Sequence, residues 1–225
     1  MFIVSDTWKT TYPSARAGIL VMKNVANPAR HPELDQQKKN LEQSLRDRFA
    51  GADRAAIRAL PIIQAYNAYY KRFKKTYHVQ LQLESIALKG RSLPRVAALV
   101  ETMFMAEIKN LILTAGHDLD KLVLPVTVDV AKGNERYTML NGREQVLKKG
   151  DMMMADRMGI ITSVIYGLDQ RTRITASTQS VLFAVYAPAG IEEGLVRDHL
   201  QDIETNVQLI APHAETVALD VRCAG

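Results

Sequence analysis

The segment between Pro94 and Gly116 constrains the fold more than any other part of the chain. Val96, Leu99, Val100, Met103, Phe104, Met105, Ile108, Leu111, Ile112 and Leu113 cover almost every direction of a helical projection. Pro94 suits a helix opening and Gly116 a helix C-cap, so a helix is predicted over 95–115. A helix without a wet face is a buried central helix. Its walls are expected from strands near 123–130, 159–166 and 180–187. Glu101, Thr102, Glu107 and Asn110 are its polar exceptions, and each needs a partner, because a buried polar group left unpaired costs about 1–3 kcal/mol.

Around this helix the pattern divides in two. Before residue 120 it is mainly helical. Pro32 stands at a first-turn position, and Leu34, Leu41, Leu45 and Phe49 form one stripe, with Lys38, Lys39, Arg46 and Arg48 read as surface. A short helix from Asp53 ends at Pro61, a helix with Tyr66, Tyr69, Tyr70 and Phe73 follows to Lys75, and another covers Gln80 to Leu88. The segment 18–22 is an early strand. After residue 120 the period turns to β: Leu122–Val130 with Pro125 near its start, Tyr137–Leu140 before an Asn141-Gly142 turn, Gly159–Tyr166, Ser180–Ala187 and Thr216–Val221, with a helix over Glu192–Leu209. Such segregation predicts an α+β fold: a mixed β-sheet core around a buried central helix, with an N-terminal helical layer. At 225 residues the chain reads as one domain, 1–225, and is long enough to fold without a disulfide or structural metal.

Charge is uneven. The whole chain carries 29 Lys and Arg against 24 Asp and Glu, but residues 1–80 alone hold 14 against 6. This points to an anionic partner for the N-terminal part or to a solvated basic face. The densest cluster is Lys71, Arg72, Lys74 and Lys75 beside the aromatic helix. It either complements the helix dipole over a core of tyrosines or offers cations and stacking faces to RNA.

Several chemistries are absent by motif. There is no G-x-G-x-x-G, no P-loop and no G-x-S-x-G elbow. A lone Cys223 and the lack of paired histidine spacing argue against a metal, and no cofactor is expected. No apolar run reaches 18 residues and the first residues do not form a signal peptide, so a cytoplasmic protein is expected. Gly116-His117-Asp118-Leu119-Asp120 is the one compact His/carboxylate cluster. Its bland reading is a cap and turn.

From Ser92 onward an ordered series appears: SLPRV, the apolar helix, GHDLDKL, VTVDVAKGNE, GIITSVIYG and RTRITASTQSVLFAVYA. This series resembles the tRNA-binding-type editing domain of the phenylalanyl-tRNA synthetase β subunit and its free-standing relatives, over about residues 80–190. The resemblance implies an ester pocket between the long helix, the turn after it and the Gly167 loop, where wrongly attached tyrosine is hydrolysed from phenylalanine tRNA. The implied partners are tRNA or aminoacyl-tRNA and an amino acid, not DNA or a membrane. The chain departs from the pattern: the family's editing histidine falls at Ala115, its glutamate at Ala184, and its doubled glycine at Gly167-Leu168. The helix threonine survives as Thr102 with a one-residue shift.

The expected function is therefore recognition of aminoacyl-tRNA or an amino acid with deacylation of mischarged tRNA, or, alternatively, a binding module for RNA, an amino acid or a protein that has lost the chemistry. The candidates are His117, Thr102 and Glu101 for catalysis, and Gly167, Gln170, Thr172, Thr175 and Asp118 for substrate. Lys71, Arg72, Lys74 and Lys75 are the candidates for RNA. A straight helix would separate Thr102 from His117 by roughly 22 Å, so the His117 turn and the loop rank first, and His117 is expected within about 8 Å of loop 167–175.

Overall fold

The computed structural model describes residues 2–224. In chain order the elements are β1 (Phe2–Val4), α1 (Asp6–Thr11), β2 (Arg16–Lys23), α2 (Pro32–Arg48), α3 (Arg54–Arg58), α4 (Pro61–Lys71), α5 (His78–Lys89), α6 (Ala98–Asn110), β3 (Thr114–Asp118), a 3-10 turn (Leu119–Lys121), β4 (Val126–Val130), β5 (Arg136–Thr138), β6 (Glu144–Val146), β7 (Met152–Asp156), β8 (Gly159–Ser163), β9 (Gly167–Leu168), β10 (Ser180–Ala187), α7 (Glu193–Ile210) and β11 (Glu215–Cys223). This is an α+β fold. A four-stranded sheet runs β11-β2-β10-β3, all antiparallel, a five-stranded sheet runs β1-β4-β7-β8-β9, with β1 parallel to β4, and β5 pairs with β6 in a two-stranded ribbon. The N-terminal segment thus supplies a central strand, β2, as well as helices. No helix among the described residues is long and apolar enough to cross a membrane.

The central helix is buried but shorter than its sequence suggests. It ends at Asn110, where Leu111 takes a left-handed conformation (φ 61°). The apolar run continues as β3, whose five residues are all buried. Apolar residues all round suit a buried helix and a buried strand alike, so the pattern alone does not mark the change. His117 and Asp118 therefore lie on a strand rather than past a helix cap. The helix packs chiefly on α7, α2, β3 and α5, and none of the three strands expected as its walls, β4, β8 and β10, is among these close neighbours.

A further difference has an electrostatic cause, while the aromatic helix takes the core reading. Lys38, read as surface, is 6% exposed, and its ammonium lies 2.5 Å from Glu101 Oε2 and 3.5 Å from Asp35. Glu101 is held there because its other oxygen accepts the Val96 N–H at 2.9 Å. The tyrosines of α4 are core and carry hydroxyls that pin the sheets. Tyr66 donates to the Tyr186 carbonyl (2.7 Å) and accepts from Leu113 N–H (2.9 Å), Tyr70 donates to the Val164 carbonyl (2.8 Å), and Tyr69 donates to Asp151 Oδ1 (2.5 Å). These bonds close the floor beneath the cavity described next.

Candidate functional site

A cavity of about 500 Å³ opens where the last turns of α6, the start of β3, the β8–β9 corner and the turn after β5 meet. Met103, Phe104, Leu113, Val164, Ile165 and Leu168 make its walls apolar. Into this surface project a few polar groups, the usual arrangement of a small-molecule site: Glu107, Thr114, Thr162, Ser163 and Tyr186.

Two of these hydroxyls are oriented by buried histidines. Thr162 Oγ1 lies 2.7 Å from His117 Nε2, and His117 Nδ1 lies 2.7 Å from Thr172 Oγ1. Thr172 donates its hydroxyl proton to Asp169, so it accepts from Nδ1–H. Nε2 is then the acceptor and Thr162 donates to it, which leaves Thr162 lone pairs for the cavity. The second histidine has the opposite polarity. The Asn110 amide is fixed by Asp202 (2.8 Å) and donates also to His199 Nδ1 (3.2 Å). His199 Nε2–H therefore donates to Thr114 Oγ1 (2.6 Å). Thr114 keeps its own proton for the long 3.4 Å contact with the Ile112 carbonyl or for a ligand. Both imidazoles are fully buried, which lowers each pKa to about 3 and keeps them neutral.

The glycine in β3 makes the first relay possible. A Cβ on Gly116 would stand 2.9 Å from Ile174 Cδ1 and 3.3 Å from Met103 Sδ. Without one, loop 169–175 closes over β3 and brings Thr172 onto His117. Arg171 ties the same loop down through Asp156 (2.8 Å) and the Lys121 carbonyl (2.8 Å).

At the back of the cavity, Ser163 donates to the buried carboxylate of Asp151, which also accepts from Tyr69. Burial raises Asp151 to about 6 despite these bonds. Glu107 is the other buried acid. It is 2% exposed, one oxygen accepts the Thr114 N–H at 2.7 Å, and burial raises its pKa to about 8. Tyr186 is buried with its hydroxyl near Thr162 and in no hydrogen bond of normal geometry.

The residues singled out from sequence separate. His117 meets the loop at Thr172, but both are buried behind Thr162 and neither lines the cavity. Gly167 lines it. Glu101 and Thr102 do not: Glu101 is committed to Lys38, and Thr102 donates to the Leu99 carbonyl (2.7 Å) on the side of α6 toward Asn206. Gln170 is exposed, Thr175 faces Ser177 and Thr178, and Asp118 caps the 3-10 turn while accepting from Thr178 (2.8 Å). Met103, Phe104 and Glu107 are the α6 residues that reach the cavity. Their spacing carries no motif, though an acid inside an apolar helix was a visible signal.

The basic cluster borders the same opening. Lys75 Nζ stands 4.6 Å from the ring centre of Tyr166, a cavity residue. The Arg72 guanidinium sits over Tyr12 (5.1 Å) and Phe73 (5.7 Å), and with Lys74, Lys148 and Lys149 it lines a shallow groove. Among the described residues none of Lys71, Arg72, Lys74, Lys75, Lys148 and Lys149 pairs with a carboxylate.

The chain is thus an α+β domain with a cavity walled by a central helix, an edge strand and a glycine-containing corner. Residues 64–201 match the B3/4 domain, and the chain belongs to that family. A segment of 80 residues is 38% identical to the phenylalanine--tRNA ligase beta subunit of Fusobacterium nucleatum subsp. nucleatum, covering 34% of this chain and 10% of that protein. The chain also superposes on an N-terminal fragment of the phenylalanyl-tRNA synthetase beta-subunit from Pyrococcus horikoshii (TM-score 0.49, 12% identity, 99% of this chain and 50% of that one). The chain thus corresponds to a small part of the ligase subunit and half of the fragment.

Proposed function

We propose that this B3/4 domain takes the aminoacyl end of a tRNA into the cavity and hydrolyses the ester, with the RNA lying on the basic groove. The observation that carries the reading is the junction of the two surfaces. An apolar cavity large enough for an amino-acid side chain opens beside cations with no acidic partner among the described residues, and Lys75 stands against Tyr166 where they meet. Thr162 accepts from a water or from the ligand, and Thr114 donates. Rigid hydroxyls of this kind position an ester and a water without a strong nucleophile.

A second reading, binding without hydrolysis, is favoured by one observation. Ala115 and Ala184, where the family resemblance puts a histidine and a glutamate, face each other across β3 and β10. The test is a panel of mischarged tRNAs incubated with the protein while loss of the ester is followed. Selective loss for one amino acid supports hydrolysis. Retained esters with saturable, salt-sensitive binding support the second reading, and neither loss nor binding refutes both.

A further inference from the structure

Glu107 is an acid in a place that no protein group explains. It lies inside α6, almost fully buried, yet among the described residues no lysine or arginine is paired with it. Asn110, His199 and Asp202 form a separate group behind Thr114. Among the described residues only the Thr114 N–H binds its carboxyl, on one oxygen, and the residue lines the cavity. Buried acids are normally paired, because transfer of an isolated carboxylate from water is costly. A backbone N–H does not need a carboxylate as partner, since an amide oxygen serves as well.

From this geometry we infer that Glu107 is the receptor for an ammonium group of the ligand, and that the cavity selects an amine on an apolar skeleton whose carboxyl is esterified or amidated rather than free. The cavity's remaining features agree. Thr162 presents lone pairs, a second acceptor for N–H. The walls are apolar and would strip water from a ligand carboxylate without supplying a cation inside. One cation, Lys75, stands at the rim against Tyr166. A free amino acid would place its carboxylate in the same enclosure as Glu107, whereas an ester or amide brings only the positive charge. The inference deepens the proposed function and rests on it for taking this cavity as the ligand site.

The groups facing Glu107 from neighbouring elements are Tyr66 and Tyr70 of α4, Tyr77 just before α5, His78 at the rim and Tyr186 of β10. The tyrosines are held above their usual range by burial and stay neutral. With a carboxyl raised to about 8, the empty site is protonated at pH 6, where an α-amino group is fully charged. Seating the ammonium then expels the carboxyl proton to solvent. No covalent bond changes.

The experiment uses amides, which are not esters and so are not turned over. Binding of L-tyrosinamide, L-phenylalaninamide, L-leucinamide and L-valinamide is measured by calorimetry at pH 6, in two buffers of different ionisation enthalpy. The N-acetyl amides and the free amino acids serve as comparisons. For the amide that binds best, the N-acetyl form and the free amino acid are expected to bind at least tenfold more weakly, with release of close to one proton per amide bound. Glu107→Gln keeps an acceptor for Thr114 N–H and is expected to remain folded, to abolish proton release and to erase the preference for the amine over its N-acetyl form. A His78→Gln protein should still release the proton. Binding of no amide by the parent, equal binding of the N-acetyl form, or an unchanged preference in Glu107→Gln overturns the inference. Deacylation or tRNA binding that survives in Glu107→Gln with unchanged amine preference would refute this role while leaving the proposed function standing. Glu107-dependent amide binding without any tRNA binding would do the reverse.

Discussion

Replacing Glu107 by Gln should make the protein more stable than its parent at neutral and alkaline pH, by an amount that depends on pH in a defined way. The Glu107 carboxyl is raised in the folded protein from 4.5 to about 8, chiefly by burial, with the Thr114 N–H opposing. The folded state therefore holds a proton that the unfolded chain has released between those two values. Stability is largest below the unfolded pKa and falls as pH rises toward the folded one. Each pH unit in that interval is worth about 1.4 kcal/mol. Full burial and the lack of a cationic partner mean no discount for screening, so the loss reaches roughly 4 kcal/mol by pH 8 and levels off above it. Gln has no proton to lose and retains the bond from Thr114. The assay is urea unfolding of both proteins from pH 4 to pH 8.5. Their stabilities should coincide within about 1 kcal/mol near pH 4, and the Gln protein should pull ahead steadily above pH 5. Taking the difference cancels the other buried groups, notably Asp151, which acts in the same sense up to about 6, and His117 and His199, which act oppositely from about 3 to 6.5. A difference that does not change with pH would refute the claim that a cation-free buried carboxyl occupies this wall.

Other outcomes follow from the same geometry. Thr162→Val removes the hydroxyl that links His117 to the cavity and should lower ester hydrolysis at least tenfold while costing about 1–3 kcal/mol in stability; hydrolysis at the parent rate would place the chemistry elsewhere. Lys38→Ala strands Glu101 inside the protein and should cost about 3–5 kcal/mol, a drop of roughly 6–20 °C in Tm for a chain of this size. Lys38→Met combined with Glu101→Gln should recover part of that loss, and a Tm unchanged by Lys38→Ala alone would contradict the buried pair. Lys74, Lys75 and Lys149 changed together to Glu should weaken tRNA binding and flatten its dependence on salt, because fewer counterions are released from the phosphates; an unchanged slope in a filter-binding titration would remove the groove from the RNA path.

What the sequence revealed and what it hid have physical reasons. Strand β10 and helices α2 and α7 were legible almost to the residue, because each has one period and clear end signals such as Pro32. The end of α6 was not, because the run from Val96 to Leu113 is apolar for two different reasons, first as a buried helix and then as a strand buried on both faces. Extending the helix to 115 put His117 in a turn, whereas it lies on β3. Its meeting with the loop was foreseeable through the family resemblance, and the fold accounts for it: the loop leads from β9 into β10, the strand beside β3. Lys38 was misread because a single buried cation in a basic stripe has no pattern of its own; only Glu101, on a helix distant in sequence, reveals why it is inside. The polar wall of the cavity was hidden for the same reason. Thr114, Thr162, Ser163, Asp151 and Tyr186 come from three strands and a turn, and become a set only when the two larger sheets are assembled.

The central claim is that the cavity beside Lys75 and Tyr166 receives the aminoacyl end of a tRNA. The most direct measurement is a crystal structure of the protein with an adenosine bearing an amide-linked amino acid on its 3′ nitrogen, a stable stand-in for the ester. The account predicts the side chain among Met103, Phe104, Leu113 and Leu168, the ammonium against Glu107, and the adenosine leaving past Tyr166 toward the groove of Arg72 and Lys74. An analogue bound elsewhere on the protein, or an empty cavity at saturating analogue, would contradict it.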